Sequence, residues 1–100
     1  MYLVIWTYRV KEEHREAFET LYGEAGDWVD WFRGSPDFIS TELLRSSSEP
    51  LTYLTIDRWK SRSAYEDHYK TGGKRYDELD ARGDLYTLDE VRLGAFESGD

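Results

Sequence analysis

The chain has 100 residues, of which 34% are charged and 39% hydrophobic, and its formal net charge is −8. A chain of this length buries roughly 60–70% of its unfolded surface, which favours one domain over residues 1–100. The acidic balance argues against nucleic-acid and anionic-membrane partners, because both bind basic surfaces. Cysteine is absent, which excludes disulfides and thiolate chemistry and fits a cytoplasmic protein.

The first predicted element is a strand over residues 2–10, rich in β-branched and aromatic side chains. Tyr2, Val4 and Trp6 alternate with Leu3 and Ile5, so both faces of the strand begin apolar. We therefore expect other parts of the structure to cover this strand on both sides.

A helical period follows the first strand and predicts one long helix through residues 12–32. Its apolar stripe consists of Phe18, Leu21, Ala25, Trp28 and Phe32. Gly23 and Gly26 lie inside this stretch, where each costs about 1 kcal/mol relative to alanine. Because glycine has no side chain, they predict either a close approach of the helix to the sheet or a space beside the helix for another group.

Five further elements complete the chain. Two strands, two helical pieces and a last strand are predicted at residues 38–45, 51–59, 62–69, 74–81 and 85–96. Ser61 is a suitable N-cap for the first helical piece, and the second is expected to stop near Gly83. The order β-α-β-β-α-β predicts an α+β, ferredoxin-like fold, with both helical segments on one face of a four-stranded antiparallel sheet.

The opposite face of that sheet lacks a cover within one chain. In the third strand Leu54 and Ile56 alternate with Tyr53 and Thr55, so this face is apolar as well. Soluble monomers rarely expose a contiguous apolar sheet. The sequence therefore predicts a homodimer in which the two bare faces pack together.

Two motifs resemble a known family. Asp57-Arg58-Trp59-Lys60-Ser61, followed by Ala64 and Tyr65, resembles the antibiotic biosynthesis monooxygenase pattern of an acidic residue, any residue, Trp, any residue and Ser. Pro36-Asp37-Phe38 resembles the family's Pro-Gly-Phe at the start of strand two, with Asp in place of Gly. The resemblance spans residues 2–96 and implies a dimeric α/β barrel within the ferredoxin-like folds.

Several activities are compatible with this resemblance. Trp59 and Tyr65 match residues that cofactor-free anthrone-type monooxygenases use, whereas Thr55, Leu43 and Leu79 stand where those enzymes have Asn, Tyr and Arg. Quinol monooxygenases and small-metabolite isomerases of the same fold remain alternatives. The residue pattern of the haem-degrading relatives is not matched. The resemblance thus implies a cofactor-free enzyme for a small aromatic or quinone-like metabolite.

The candidate site lies on one face of the third strand. Alternation places four side chains there, Tyr53, Thr55, Asp57 and Trp59. Tyr65 and His68 in the following helix are expected to lean over this face, and Trp28 and Phe32 to form an apolar wall. Aromatic walls with a few converging polar groups suit a flat, oxygenated ring.

Cofactor-free oxygenation requires a substrate whose phenolate or enolate gives an electron to oxygen. The protein then supplies a proton acceptor and donors that stabilise the anion. Trp59 and Tyr65 are candidate donors, and His68 or Asp57 a candidate base, with Tyr53, Thr55, Trp28 and Phe32 as ligand contacts. Two histidines without paired spacing do not predict a metal site.

Each of these residues also has a plainer interpretation. Trp59 and Tyr65 are common packing residues, and Asp57 and His68 are common in capping or surface positions. A dimeric module that binds or senses a hydrophobic ligand without turnover is therefore an open alternative. In a third case, aromatic rings fill the space and leave no site.

Overall fold

A computed structural model describes residues 1–99. Asp100, the last residue of the predicted domain, lies outside the described residues. The elements in chain order are β1 (Tyr2–Val10), a 3-10 turn (Glu12–His14), α1 (Arg15–Tyr22), α2 (Asp27–Phe32), β2 (Phe38–Arg45), β3 (Thr52–Trp59), α3 (Arg62–Lys70), α4 (Gly73–Tyr86) and β4 (Thr87–Glu97).

The four strands form one sheet in the order β2-β3-β1-β4, with antiparallel pairing throughout. This architecture confirms the predicted α+β, ferredoxin-like fold. A bulge in β4 interrupts its pairing with β1. Ile5 pairs with Gly94, but the next residue, Trp6, pairs with Arg92, so one residue of β4 is skipped. Leu93 is therefore the extra residue of the bulge.

The single helix predicted over residues 12–32 is wrong, because the chain turns between α1 and α2. Gly23 and Gly26 both have extended backbones, and the Gly26 amide donates a hydrogen bond to the Gly23 carbonyl. A Cβ atom on Gly26 would lie 2.3 Å from the Thr20 carbonyl oxygen and 2.4 Å from that of Leu21. The two glycines therefore permit a tight turn over the end of α1, which periodicity alone does not reveal.

The predicted stop near Gly83 is also wrong, since α4 continues to Tyr86. A Cβ atom on Gly83 would lie 2.2 Å from the hydroxyl oxygen of Tyr22 in α1. The side chain of Tyr22 thus crosses α4 at Gly83, where a larger residue would collide with it. The glycine serves packing between helices and does not end the helix.

The two faces of the sheet differ in their cover. On the helix side, the third strand buries the four side chains that alternation predicted, Tyr53, Thr55, Asp57 and Trp59. On the other side lies what we call the open sheet face, formed by Leu3, Ile5, Leu44, Leu54, Ile56, Val91 and Phe96. Val91 and Phe96 are each 52% exposed in the single chain. Apolar side chains thus lie on both faces of the sheet.

Among residues 1–99, no helix combines the length and the apolar character needed to span a bilayer.

Candidate functional site

A cavity of about 290 Å³ lies between the helices and the covered face of the sheet. Its walls are aromatic and come from both halves of the chain: Trp6, Tyr8, Tyr22, Trp28, Phe32, Tyr69 and Tyr76. Its polar lining consists of Thr41, Thr55, Asp57, Asp80 and Glu90. A concave, aromatic space with a few polar groups is the usual form of a small-molecule site.

Asp57 on β3 is one of the carboxylates that line this cavity, and it is 7% exposed. The pairing of β2 with β3 places Thr41 directly opposite Asp57, and the Thr41 Oγ1 donates a 2.6 Å hydrogen bond to Oδ1 of Asp57. Burial raises the pKa of Asp57 to about 6, while the bond from Thr41 acts to lower it. Asp57 is therefore a group that accepts and releases a proton near neutral pH.

The hydroxyl groups beside Asp57 are neutral hydrogen-bonding groups. Tyr8 and Thr55 share a hydrogen bond of 2.9 Å between their hydroxyl oxygens. Burial raises the pKa of Tyr8 and that of Tyr69 well above the usual value for tyrosine. Both phenols consequently stay protonated and can donate a hydrogen bond to a developing anion.

Asp80 and Glu90 line a second polar part of the cavity, on α4 and β4. Their carboxylate oxygens and those of Asp84 lie within 4.8 Å of one another. Burial, and then the other nearby acidic groups, raise the pKa of Asp80 and of Glu90. In the part of the chain that the structure describes, these three carboxylates are the group close enough to share a cation.

Trp28 contributes a buried donor to the cavity lining. It is 8% exposed, and its Nε1 has no hydrogen-bond partner among residues 1–99. Burial raises the pKa of the Tyr22 hydroxyl, and the nearby indole acts in the opposite direction. No bond of standard geometry joins the two, so the indole N–H is available to a ligand oxygen.

Of the eight residues predicted from the sequence, four line the cavity. These are Asp57, Thr55, Trp28 and Phe32. The alternation of β3 and the apolar stripe of the first helical segment were sufficient to find them.

Trp59 and Tyr65 lie behind the cavity wall. Trp59 is fully buried, and its ring packs edge-on against Phe32 and Phe38 at centroid distances of 5.5 and 5.2 Å. The ring of Tyr65 lies 5.8 Å from that of Trp59 and faces a separate surface groove that includes Arg92. Neither residue is part of the lining, and their catalytic roles stay predictions.

His68 and Tyr53 are engaged elsewhere. The Nε2 of His68 lies 2.9 Å from the carbonyl oxygen of Trp31 in α2, and the Tyr53 hydroxyl donates a hydrogen bond to Glu19 in α1. Both side chains thus contact the helices outside the cavity. The base role proposed for His68 and the ligand contact proposed for Tyr53 also stay predictions.

Several lining residues were not predicted. Trp6 and Tyr8 follow from the alternation of β1, because they share a face with the buried Val4. Thr41 follows only from the register of β2 against β3. Asp80 on α4 and Glu90 on β4 have no signal in the sequence, since their positions depend on how these elements dock.

The fold and this aromatic cavity define a ferredoxin-like α+β domain with a candidate ligand site between its helices and its sheet. The model of the family "antibiotic biosynthesis monooxygenase" matches residues 1–73. The chain belongs to this family, which confirms the resemblance of its motifs.

Solved structures show the same fold. SnoaB, a cofactor-independent oxygenase from Streptomyces nogalater, superposes with a TM-score of 0.79 at 16% identity, over 99% of this chain and 93% of that chain. Rv0793 from Mycobacterium tuberculosis superposes with a TM-score of 0.69 at 18% identity, over 99% of this chain and 98% of that chain. PA3566 from Pseudomonas aeruginosa superposes with a TM-score of 0.69 at 13% identity, over 97% of this chain and 92% of that chain. No curated protein matches the chain.

Proposed function

We propose that this protein is a cofactor-free monooxygenase that oxidises a small phenolic or hydroquinone-like metabolite. The observation that carries the proposal is Asp57, a buried carboxylate with a pKa of about 6 on the lining of an aromatic cavity. A general base is most effective when its pKa lies near the working pH. Membership of the family and the fold shared with a cofactor-independent oxygenase support the same function.

In the proposed reaction Asp57 first removes a proton from the substrate. The resulting phenolate or enolate gives an electron to O₂, and the oxygen then joins the activated ring carbon as a hydroperoxide. Where this carbon is a methylene, loss of water leaves a carbonyl group. One oxygen atom thus enters the substrate, and the other leaves as water with the two methylene hydrogens.

The remaining polar groups stabilise the substrate anion. The protonated hydroxyls of Tyr8 and Tyr69 line the same cavity as Asp57. Neutral donors held in a site poor in water favour a developing anion, because they need no reorganisation when its charge appears. The aromatic walls keep bulk water away from the anion and its oxygen adduct.

Trp59 and Tyr65 have a positioning role in this proposal. Trp59 packs against Phe32, which is itself part of the lining, and Tyr65 packs against Trp59. A smaller ring at position 59 would let the Phe32 wall move. Substrate affinity would then change more than the rate of proton removal.

We propose in addition that two copies of the chain associate through the open sheet face. Its seven side chains include three that are 45–52% exposed, Leu44, Val91 and Phe96. Burial of apolar surface contributes roughly 25 cal/mol per Å². A second open sheet face is its natural cover, because a two-fold interface pairs one surface with its own copy.

The test is oxygen uptake with a panel of anthrones, hydroquinones and naphthols. We expect Asp57→Asn to lower the rate about a hundredfold or more, as loss of a general base commonly does. The matched control is Asp67→Asn, an exposed aspartate on α3 that should leave the rate unchanged. A rate for Asp57→Asn equal to that of the parent would refute the proposed base, and binding without any uptake would identify a ligand-binding module.

A further inference from the structure

The charges on the cavity lining are all of one sign. Its ionisable groups, apart from the phenols, are the carboxyls of Asp57, Asp80 and Glu90. Within residues 1–99, no lysine, arginine or histidine side chain is part of the lining. An anionic ligand would therefore meet three acids without a counterion, and its transfer from water would be costly.

Nearby basic groups on α4 and β4 do not compensate for these acids. Arg75 and Arg82 on α4 both pair with Asp27, at 4.0 and 2.6 Å. Arg92 on β4 faces the surface groove, where burial raises the pKa of Tyr65 and Arg92 partly opposes that rise. Within residues 1–99, the acids on the lining thus form no ion pair with a basic side chain.

The acids near α4 are also crowded. Asp80, Asp84 and Glu90 have carboxylate oxygens within 4.8 Å of one another. The Tyr22 hydroxyl, which would lie 2.2 Å from a Cβ atom on Gly83, is close to these three carboxylates. The pKa of Tyr22 is raised by all three carboxylates as well as by burial. A bound cation would relieve this mutual repulsion.

Aromatic faces surround the same part of the cavity. The Trp28 ring lies 5.7 Å from that of Tyr76, in an edge-to-face arrangement, and 6.2 Å from that of Tyr22. Faces of Trp and Tyr attract ammonium groups through their quadrupoles, and aromatic cages with carboxylates are typical of amine recognition.

The buried indole of Trp28 gives a second, independent indication of a ligand. In the described part of the chain its Nε1 has no hydrogen-bond partner, although the residue is only 8% exposed. An unpaired buried donor is destabilising, and an acceptor oxygen on a ligand would offset that cost. An ammonium group alone does not accept such a bond. The ligand therefore needs an oxygen atom in addition to its positive charge.

We infer that the cavity takes a hydroxylated aromatic amine, with its ammonium group beside Asp80 and Glu90 and its ring between the aromatic walls. This inference deepens the proposed function, because it names the charge class of the substrate. It rests on that function for turnover but not for binding.

Calorimetry with three phenols of nearly equal size tests the inference. Tyramine carries a positive charge, tyrosol is neutral, and 4-hydroxyphenylacetate is negative at pH 7.5. We expect tyramine to bind about tenfold more tightly than tyrosol, as one charge-assisted hydrogen bond allows, and 4-hydroxyphenylacetate to bind most weakly. The preference should weaken between 50 and 500 mM NaCl, because part of the site is open to solvent.

Variants locate the effect. Asp80→Asn combined with Glu90→Gln should remove the preference for tyramine over tyrosol. The control combines Glu13→Gln with Glu16→Gln, two exposed residues outside the cavity, which changes the net charge by the same amount. It should keep the preference of the parent.

Three results would overturn the inference: tyrosol binding as tightly as tyramine, an equal loss in the control variant, or Mg²⁺ binding to the acids in place of the amine. Oxygen uptake separates this outcome from the proposed function. Charge selectivity without uptake would refute the enzyme and retain the inference. Uptake with neutral hydroquinones but no charge selectivity would support the proposed enzyme and refute the inference.

Discussion

Thr41 and Asp57 face each other across two adjacent strands, and the Thr41 Oγ1 donates a 2.6 Å hydrogen bond to Oδ1 of Asp57. Burial raises the pKa of this carboxyl, and the bond partly opposes the rise. The proton affinity of the proposed base is therefore raised by burial and adjusted by one neighbouring hydroxyl. Changing that hydroxyl should change the pH at which the enzyme works.

Thr41→Val is expected to raise the pKa of Asp57 above 6, because it removes a donor that favours the carboxylate. A shift of about one unit corresponds to about 1.4 kcal/mol, at the low end for a hydrogen bond to a charged group. Carbon-13 NMR of the Asp57 carboxyl measures the shift, and the midpoint of the rate against pH should move upward with it. Thr20→Val, on the exposed side of α1, is the control. An unchanged carboxyl titration in Thr41→Val would show that the bond has no role.

Asp57→Asn should alter how stability depends on pH. The folded protein holds the Asp57 proton up to about pH 6, whereas the unfolded chain releases it near pH 3.8. The folded state therefore binds more protons in this window, and the free energy of unfolding falls as pH rises through it. The fall attributable to Asp57 is about 3 kcal/mol.

Urea denaturation of the parent and of Asp57→Asn between pH 4 and 7 measures this difference. Asparagine keeps an acceptor for Thr41, and the acids on α4 and β4 contribute alike to both proteins. The variant should gain stability relative to the parent as pH rises from about 4 to 6. Parallel curves would mean that Asp57 titrates normally in the folded protein.

The fold was largely predictable because alternation and helical period are local properties of the sequence. In β3, burial alternates residue by residue, as the pattern predicted. The errors fell on glycines, whose effects depend on distant atoms. Gly26 passes over the carbonyls of Thr20 and Leu21, and Gly83 receives the side chain of Tyr22. Neither contact is visible in a local pattern.

The candidate site was half predictable for the same reason. Thr55 and Asp57 follow from one strand, and Trp28 from one helical stripe. Trp59 shares a face with Asp57, but it lies behind Phe32, so a common face did not ensure a common cavity. Glu90 reaches the lining through the pairing of β4 with β1, opposite Tyr8. That pairing joins the two ends of the chain.

The open sheet face predicts a dimer whose mass is twice the 11.8 kDa of one chain. Ile56→Glu places a carboxylate at the middle of this face, directly opposite Glu42, which already pairs with Arg58, so burial against a second copy would leave an excess negative charge. Light scattering at micromolar concentration should give a dimer for the parent and a monomer for the variant. Leu85→Glu is the control, because Leu85 is 63% exposed but lies on α4. A monomeric parent would contradict the predicted assembly.

The crossing of Tyr22 over Gly83 gives a prediction that requires a pair of variants. Gly83→Ala would place a methyl group 2.2 Å from the Tyr22 hydroxyl oxygen and 3.2 Å from its Cζ. Overpacking of this kind costs typically 1–3 kcal/mol, which urea denaturation should show as a lower midpoint. Tyr22→Phe removes the oxygen that collides, so the double variant should regain part of this loss.

Gly99→Ala, where a Cβ meets nothing within 4 Å, controls for the general effect of replacing glycine. The coupling between positions 22 and 83 is the result that decides the prediction. If the two single effects simply add, the hydroxyl group does not rest on the backbone of α4. Tyr22 would then be free to point away from the acids at Asp80 and Glu90, and the amine site would lose one of its walls.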